Sequence, residues 1–124
     1  MILGIGTDLL DVARMAKELE EEGAGFRDTV FTPSEIAYCE AKRYPPRHFA
    51  ARFAAKEALF KALAGSMSHA FWREVEVART GDAAPRLVLH GRTREAADRL
   101  GVTDILVSLS HTDSLAAASV VLQG

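Results

Sequence analysis

The chain has 124 residues, 48% hydrophobic and 26% charged, with a formal net charge of −2; that is the size and composition of one globular domain, expected over residues 1–124, with a core that needs no covalent staple. The acidic balance argues against nonspecific nucleic-acid binding, which leans on a basic footprint, and the single cysteine, Cys39, excludes an intrachain disulfide. No run approaches the roughly 20 apolar residues of a membrane span, and the start MILGIGTDLL lacks the basic opening of a signal peptide, so the cytoplasm is the expected location.

In chain order, residues 2–8 (ILGIGTD) read as a short apolar strand in which Gly4 and Gly6 mark close approach by another backbone. Asp11 is placed to cap a helix over residues 12–22, with Val12, Met15, Ala16 and Leu19 on one face and Gly23 and Gly25 at its end. Thr32-Pro33-Ser34-Glu35 is a helix start of the capping-box type, with proline suited to the first turn. That helix runs to about Lys42 and is broken by Tyr44-Pro45-Pro46. A longer helix follows from about Arg47 to Ala64, closed by Gly65. Beyond it the period changes. Val75 and Val77 alternate with polar neighbours in a strand near 72–79, Gly81 to Pro85 turn the chain, and Leu87 and Leu89 mark a strand near 86–90. A helix over about 93–100 stops at Gly101, and strands near 104–110 and 115–122 make a hairpin around His111-Thr112-Asp113-Ser114. The order βααα-ββ-α-ββ gives an α+β fold, with helices packed on an antiparallel-rich sheet.

Chemistry concentrates in three places. On the helix holding FAAKEALFKAL (53–63), steps of about 100° per residue put Phe49, Phe53, Phe60 and Ala64 on one apolar stripe, with Glu57 at its edge and Lys61 one turn further along that edge. Glu57 is then either half of an ordinary i,i+4 pair or a partly desolvated carboxylate facing a metal, with Lys61 beside it. Asp8 ends an apolar strand behind two glycines. Alone it reads as a strand-end or cap carboxylate; with Glu57 it makes two hard oxygen ligands of the kind Mg²⁺ takes when a diphosphate and water complete the shell. In Ser108-Leu109-Ser110-His111 the serines point to one strand face, and Ile105, Val107 and Leu109 to the other. The hydroxyls and the imidazole at the hairpin tip are either a polar strand face or phosphate contacts. Cys39 has no motif partner and reads as buried and structural. His48, His69 and His90 lack zinc spacing, GIGTD is neither a P-loop nor a dinucleotide fingerprint, and Trp72 reads as a core anchor.

GIGTDLLDVARM (4–15), FAAKEALFKAL (53–63) and SLSHTDSLAAASVVL (108–122), in that order, resemble the three signature blocks of the holo-acyl-carrier-protein synthases, within the 4′-phosphopantetheinyl transferase superfamily. FTPSEIAYCE (31–40) and WREVEV (72–77) resemble further family segments. The resemblance implies Mg²⁺-dependent transfer of 4′-phosphopantetheine from coenzyme A to a serine of an apo acyl carrier protein, of fatty-acid or polyketide type, with release of adenosine 3′,5′-bisphosphate. It implies Asp8 and Glu57 as Mg²⁺ ligands and Lys61 beside the transferred phosphate, these three forming the catalytic set. It implies Ser110 and His111 as coenzyme A contacts from a neighbouring subunit, Arg52 and Lys56 near the nucleotide phosphates, Gly65 in the loop beside the cofactor, and Arg14 facing the carrier. A homotrimer with sites between subunits is implied as well. The chain also departs from the family. Ala64-Gly65-Ser66 stands where relatives often have glycine-threonine-glycine, which implies a different loop backbone near the cofactor. Asp11 stands where relatives often have glutamate. The first helix carries Glu18, Glu20, Glu21 and Glu22 against only Arg14 and Lys17; carriers are usually acidic, so weaker docking or another docking patch is implied.

Such a transfer asks the protein mainly to align oxygens and neutralise charge, the serine proton going to Glu57 through a water or to a hydroxide on the metal. Two rival readings stand beside it. One is a nucleotide- or coenzyme A-binding module without transfer, against which the Asp8–Glu57–Lys61 set speaks. The other is an oligomerisation domain whose carboxylates are surface pairs.

Overall fold

The computed structural model describes residues 1–67, 69–79 and 82–124; Gly81, the first residue of the turn expected up to Pro85, lies outside them. Strand β1 (Ile2–Asp11) leads into four helices, α1 (Val12–Glu21), α2 (Gly23–Val30), α3 (Pro33–Glu40) and α4 (Pro45–Ala62). A single 3₁₀ turn, Trp72–Glu74, precedes β2 (Val75–Ala78), followed by β3 (Arg86–Leu89), α5 (Gly91–Leu100), β4 (Asp104–His111) and β5 (Leu115–Gln123). The α+β class and the order of the other elements agree with the sequence reading. The additional helix is α2. Gly23 takes φ 58° and redirects the chain, and the next two turns bury Val30 and half-bury Phe26 against the core. Two glycines in eight residues argue against a helix on propensity, and the apolar face overrides them. The strands form two antiparallel sheets, β1-β5-β4 and β2-β3, rather than one.

Helix α4 is the axis of the core. Ala54, Ala58, Leu59 and Ala62 are buried against the three-stranded sheet and the β2-β3 hairpin. The stripe that meets the sheet is therefore alanine, and the phenylalanines pack elsewhere. Phe49 is buried on the side of α1 and α3, and Phe53 and Phe60 pack on Trp72 with ring centroids 5.1 and 5.5 Å away. Trp72 does serve as an anchor, and Cys39 is buried, its thiol pushed up to about 12, by burial first of all. Small residues on α4 let β1 lie directly on the helix backbone. A Cβ added to Gly4 or Gly6 would overlap the carbonyl oxygen of Ala62 or Ala58, so the close approach that the glycines mark is to a helix.

The capping box of α3 forms as expected. Thr32 Oγ1 accepts from the Glu35 amide at 3.3 Å, and Glu35 Oε1 accepts from the Thr32 amide at 2.8 Å. The same carboxylate is buried and does more than cap. It accepts from the Val77 amide at 2.8 Å and from Lys56 Nζ at 2.8 Å, while Lys56 also donates to the Trp72 and Val75 carbonyls at 2.9 and 2.6 Å. One buried ion pair thus stitches α3, α4 and β2 together. Asp11 occupies the N-cap position of α1 in an extended conformation, but its side chain makes no cap bond, which corrects the capping role expected for it.

Among the described residues, the sheet β1-β5-β4 is covered on one face only. Ala118, Val120, Leu122 and Val107 turn to α4. The other face carries Ile5 and Leu9, 71% and 63% exposed, with Leu106 and Leu115. Across it runs a row of hydroxyls, Thr7, Ser119 and Ser108, which are register partners.

Candidate active site

Strand alternation carries the argument from glycine to aspartate. Gly4 and Gly6 rest on α4, so Asp8, the next residue on that face, points at the helix one turn further on. It meets Lys61, whose Nζ donates to Asp8 Oδ1 at 2.9 Å and to the Thr7 carbonyl at 3.1 Å. The bond to Asp8 and that carboxylate's charge raise the Lys61 pKa, so the ammonium is held firmly protonated. Glu57 lies one turn before Lys61 and is half-buried. Desolvation first, and then the charge of Asp8, raise its pKa above the ordinary carboxylate value. Asp8 and Glu57 share the wall of a cavity of about 300 Å³, which Leu10, Arg14, Met15, Glu18, Phe26 and Phe53 also line.

The donor set fits a divalent oxygen-seeking cation. Two carboxylates face one space and the charge of Asp8 makes Glu57 harder to ionise, a conflict that a 2+ charge between them relieves. Among the described residues no cluster of three or more His, Cys, Asp or Glu forms a complete metal cage. Two carboxylates with positions left for water and phosphate oxygens is the pattern of a Mg²⁺ site that works with a phosphorylated substrate.

A second polar cluster lies nine residues earlier on α4, about 13 Å along its axis. The His48 ring sits 5.3 Å from that of His111 and 6.2 Å from that of Tyr38. Arg52 stacks its guanidinium 4.0 Å from the Tyr38 centroid, and Lys42 approaches the same ring at 4.4 Å. Arg52 is 3% exposed, and its Nε, like the buried Nε of Arg47, has no hydrogen-bond partner among the described residues. Burial first, then the charges of His111, Arg52, Lys42 and Arg47, push the His48 imidazole down to about 4, so it is neutral at pH 7. Buried donors without acceptors, in a cationic setting, suit an anion. Sequence reasoning had pointed to Arg52 and His111 but missed Lys42, Arg47 and His48. A histidine without metal spacing carries no local signal, and only the fold-back of the β4-β5 hairpin onto the start of α4 gives these residues a common address.

The remaining candidates separate. Ser110 pairs in register with Ala117 and looks out from the open sheet face, opposite to the face from which Asp8 points; within one chain the two do not share a site. Lys56 is corrected outright. It is fully buried with its three donors committed to Glu35, Trp72 and Val75, so it does not reach a nucleotide phosphate. Gly65 takes φ 82° after Ala64 at φ 49°, an exposed left-handed turn just past Lys61. Arg14 stands exposed at the cavity rim while its neighbour Met15 points into the core.

Comparison with known proteins gives this geometry its context. A profile described as the 4′-phosphopantetheinyl transferase superfamily matches residues 4–119. The chain is 41% identical over 124 residues to a holo-[acyl-carrier-protein] synthase of Koribacter versatilis, with 99% of each chain covered. It is 44% identical over 127 residues to a holo-[acyl-carrier-protein] synthase of Anaeromyxobacter sp., covering 100% of this chain and 98% of that one. It superposes on the crystal structure of the Neisseria meningitidis synthase with a TM-score of 0.89 at 26% identity over the whole of both chains. On the Helicobacter pylori synthase, solved in complex with coenzyme A, the TM-score is 0.81 at 29% identity, with 96% of this chain and 99% of that one covered. A profile match over residues 4–119, a relative 41% identical along 99% of the chain and a TM-score of 0.89 over the whole fold place the chain in the 4′-phosphopantetheinyl transferase superfamily, as a member of its holo-acyl-carrier-protein synthase family.

Proposed function

We propose that this chain moves 4′-phosphopantetheine from coenzyme A to a serine of an apo acyl carrier protein, at the cavity where Asp8, Glu57 and Lys61 meet. The observation that carries the reading is the convergence of two carboxylates on one cavity wall, with a firmly protonated lysine bonded to the first of them. The serine oxygen bonds to the β-phosphorus of coenzyme A, the bond from that phosphorus to the bridging oxygen breaks, and adenosine 3′,5′-bisphosphate leaves with the electron pair. Asp8 and Glu57 would hold Mg²⁺, which when bound supplies charge neutralisation and Lewis acidity at the diphosphate. Lys61, flexible and half-exposed, is within reach to turn its ammonium from Asp8 to the phosphoryl oxygens and stabilise the charge that develops there. Glu57, acting through a water, is one acceptor for the serine proton. The test is the intact mass of an apo carrier incubated with the chain, coenzyme A and Mg²⁺. One phosphopantetheine increment is expected, and an unchanged carrier mass would leave the reading without its reaction.

Lys61→Ala is expected to slow transfer at saturating coenzyme A while the chain remains folded. Steady-state kcat checks this; a variant that differs only in melting temperature would reduce Lys61 to a surface pair partner.

The anion cluster around His48, Arg52 and His111 is the proposed seat for the nucleotide phosphates, with the buried, unsatisfied Nε of Arg52 as its strongest support. For Ser110 and Asp8 to meet at the same coenzyme A, they must come from different copies, because they lie on opposite faces of one sheet. The half-covered sheet suggests how copies meet: Ile5, Leu9 and Leu106 are large apolar side chains with no layer of this chain over them. A homotrimer closed through this face would bury them and complete each site with a neighbour's residues. Placing aspartate at both Ile5 and Leu106 is expected to reduce the mass in sedimentation equilibrium from three copies to one copy of 13.4 kDa, with loss of transfer. An unaltered mass would show that the copies meet elsewhere.

A further inference from the structure

The cavity beside Asp8 and Glu57 does not end there. Its far wall, Glu18, Phe26 and Phe53, is also the near wall of a second depression that runs on to Glu22 and Trp72. The two make one groove, floored by aromatic rings: Phe26 and Phe53 have centroids 6.4 Å apart, and Phe53 and Trp72 5.1 Å apart. Helix α1 forms the rim, placing Arg14, Glu18 and Glu22 at successive i,i+4 positions along it. None of the three has an ion-pair partner among the described residues. The ionisable groups lining the groove are thus Asp8, Glu57, Arg14, Glu18 and Glu22. With Asp8 and Glu57 committed to a cation and the diphosphate, the outward part carries one positive and two negative charges.

We propose that Glu18 and Glu22 set the choice of carrier: the carrier segment that docks here places an apolar side chain on the Phe26–Phe53 floor and a lysine or arginine against these two carboxylates. The inference rests on the reading of the chain as a carrier-modifying transferase and refines it. Continuity with the reaction cavity puts the groove where the residues flanking the acceptor serine must lie. Charge complementarity decides the rest, because an acidic residue brought to Glu18 and Glu22 meets two unpaired carboxylates beside a low-dielectric aromatic floor. Arg14 remains available for one acidic group closer to the reaction centre, so the rim reads as a charge pattern and not as a uniform field.

The test uses two versions of one apo acyl carrier protein, differing only in whether the residues flanking the acceptor serine are acidic or lysine, each labelled for fluorescence anisotropy. The protein with Mg²⁺ and adenosine 3′,5′-bisphosphate, which has no group to transfer, is expected to bind the lysine version about three- to tenfold more tightly, the range expected of one or two partly exposed charge pairs. Glu18→Gln with Glu22→Gln should erase the preference, and Glu18→Lys with Glu22→Lys should invert it, with coenzyme A affinity unchanged in both. Equal binding of the two versions, preference for the acidic one, or a preference that survives charge reversal would each overturn the proposal. Carrier mass, followed in parallel samples that contain coenzyme A, separates this result from the underlying one: absent phosphopantetheine transfer tells against the transferase reading, whereas the dissociation constants decide the groove.

Discussion

Glu57→Gln is expected to lower turnover by roughly 10²-fold or more while leaving the fold intact and the melting temperature of the metal-free chain unchanged or higher. The two halves of this result have one cause. Burial and the neighbouring Asp8 raise the Glu57 pKa, so the folded chain binds that proton more tightly than the unfolded chain does. For an acid with a raised folded pKa, the stability contribution is complete below the unfolded pKa and is lost as pH rises through the folded pKa. At neutral pH the ionised carboxylate is therefore a cost to the metal-free fold, and glutamine, with the same shape and no charge, removes it. The same substitution deletes a negative ligand from the proposed Mg²⁺ site and a proton acceptor from the cavity. Carrier mass against time reads the first half, and thermal melting in chelator, repeated across pH, reads the second. Near-normal turnover would take Glu57 out of the chemistry. A clear drop in melting temperature would show that its charge supports the fold. This is the expected trade of an active site, in which charges are kept close for function at the expense of stability.

Lys56→Met is expected to destabilise the fold by about 3–5 kcal/mol, the usual consequence of removing one partner of a buried ion pair. It is the larger effect on folding because nothing else can take over. Lys56 and Glu35 are both wholly buried, and the ammonium also serves two backbone carbonyls. Methionine fills the space but leaves a carboxylate with only the Thr32 and Val77 amides, and carbonyls of Trp72 and Val75 without this donor. Against a total stability of roughly 5–15 kcal/mol for a domain of this size, that loss is severe. The urea midpoint measures it, and adding Glu35→Gln should recover part by removing the stranded charge. The affinity of the remaining folded chain for coenzyme A should not change, which is the outcome that separates an internal strut from a phosphate ligand. A small stability loss with a weakened coenzyme A affinity would return Lys56 to the role first expected of it.

Much of the architecture can be read from the chain because its signals are local. The capping box at Thr32 and Glu35, the prolines that open α4, the stop at Gly101 and the alternation of Val75 and Val77 each depend on neighbours in sequence, and each element forms within a few residues of its expected limits. Helix α2 is not legible in the same way. Its glycines speak against it, and its stability comes from Phe26 and Val30 packing against elements distant in sequence. Nor do residue types single out the face of α4 that meets the sheet. Alanine wins because β1 must come close enough for Gly4 and Gly6 to touch the helix backbone, and phenylalanine would hold it off.

Residue types and spacing raised Asp8, Glu57 and Lys61 as candidates, each with an ordinary structural alternative, and the family resemblance selected the catalytic reading. Three-dimensional packing alone decided what each cation does. Lys56 and Lys61 are five residues apart on one helix and equal in chemical type, yet the first turns into the core to neutralise Glu35 and the second stays half-exposed on Asp8. A helix rotates by about 100° per residue, so such a step sends two lysines to different surroundings. Which of those surroundings is dry and which is wet is set by the elements that pack around the helix, and that is written nowhere in the local sequence.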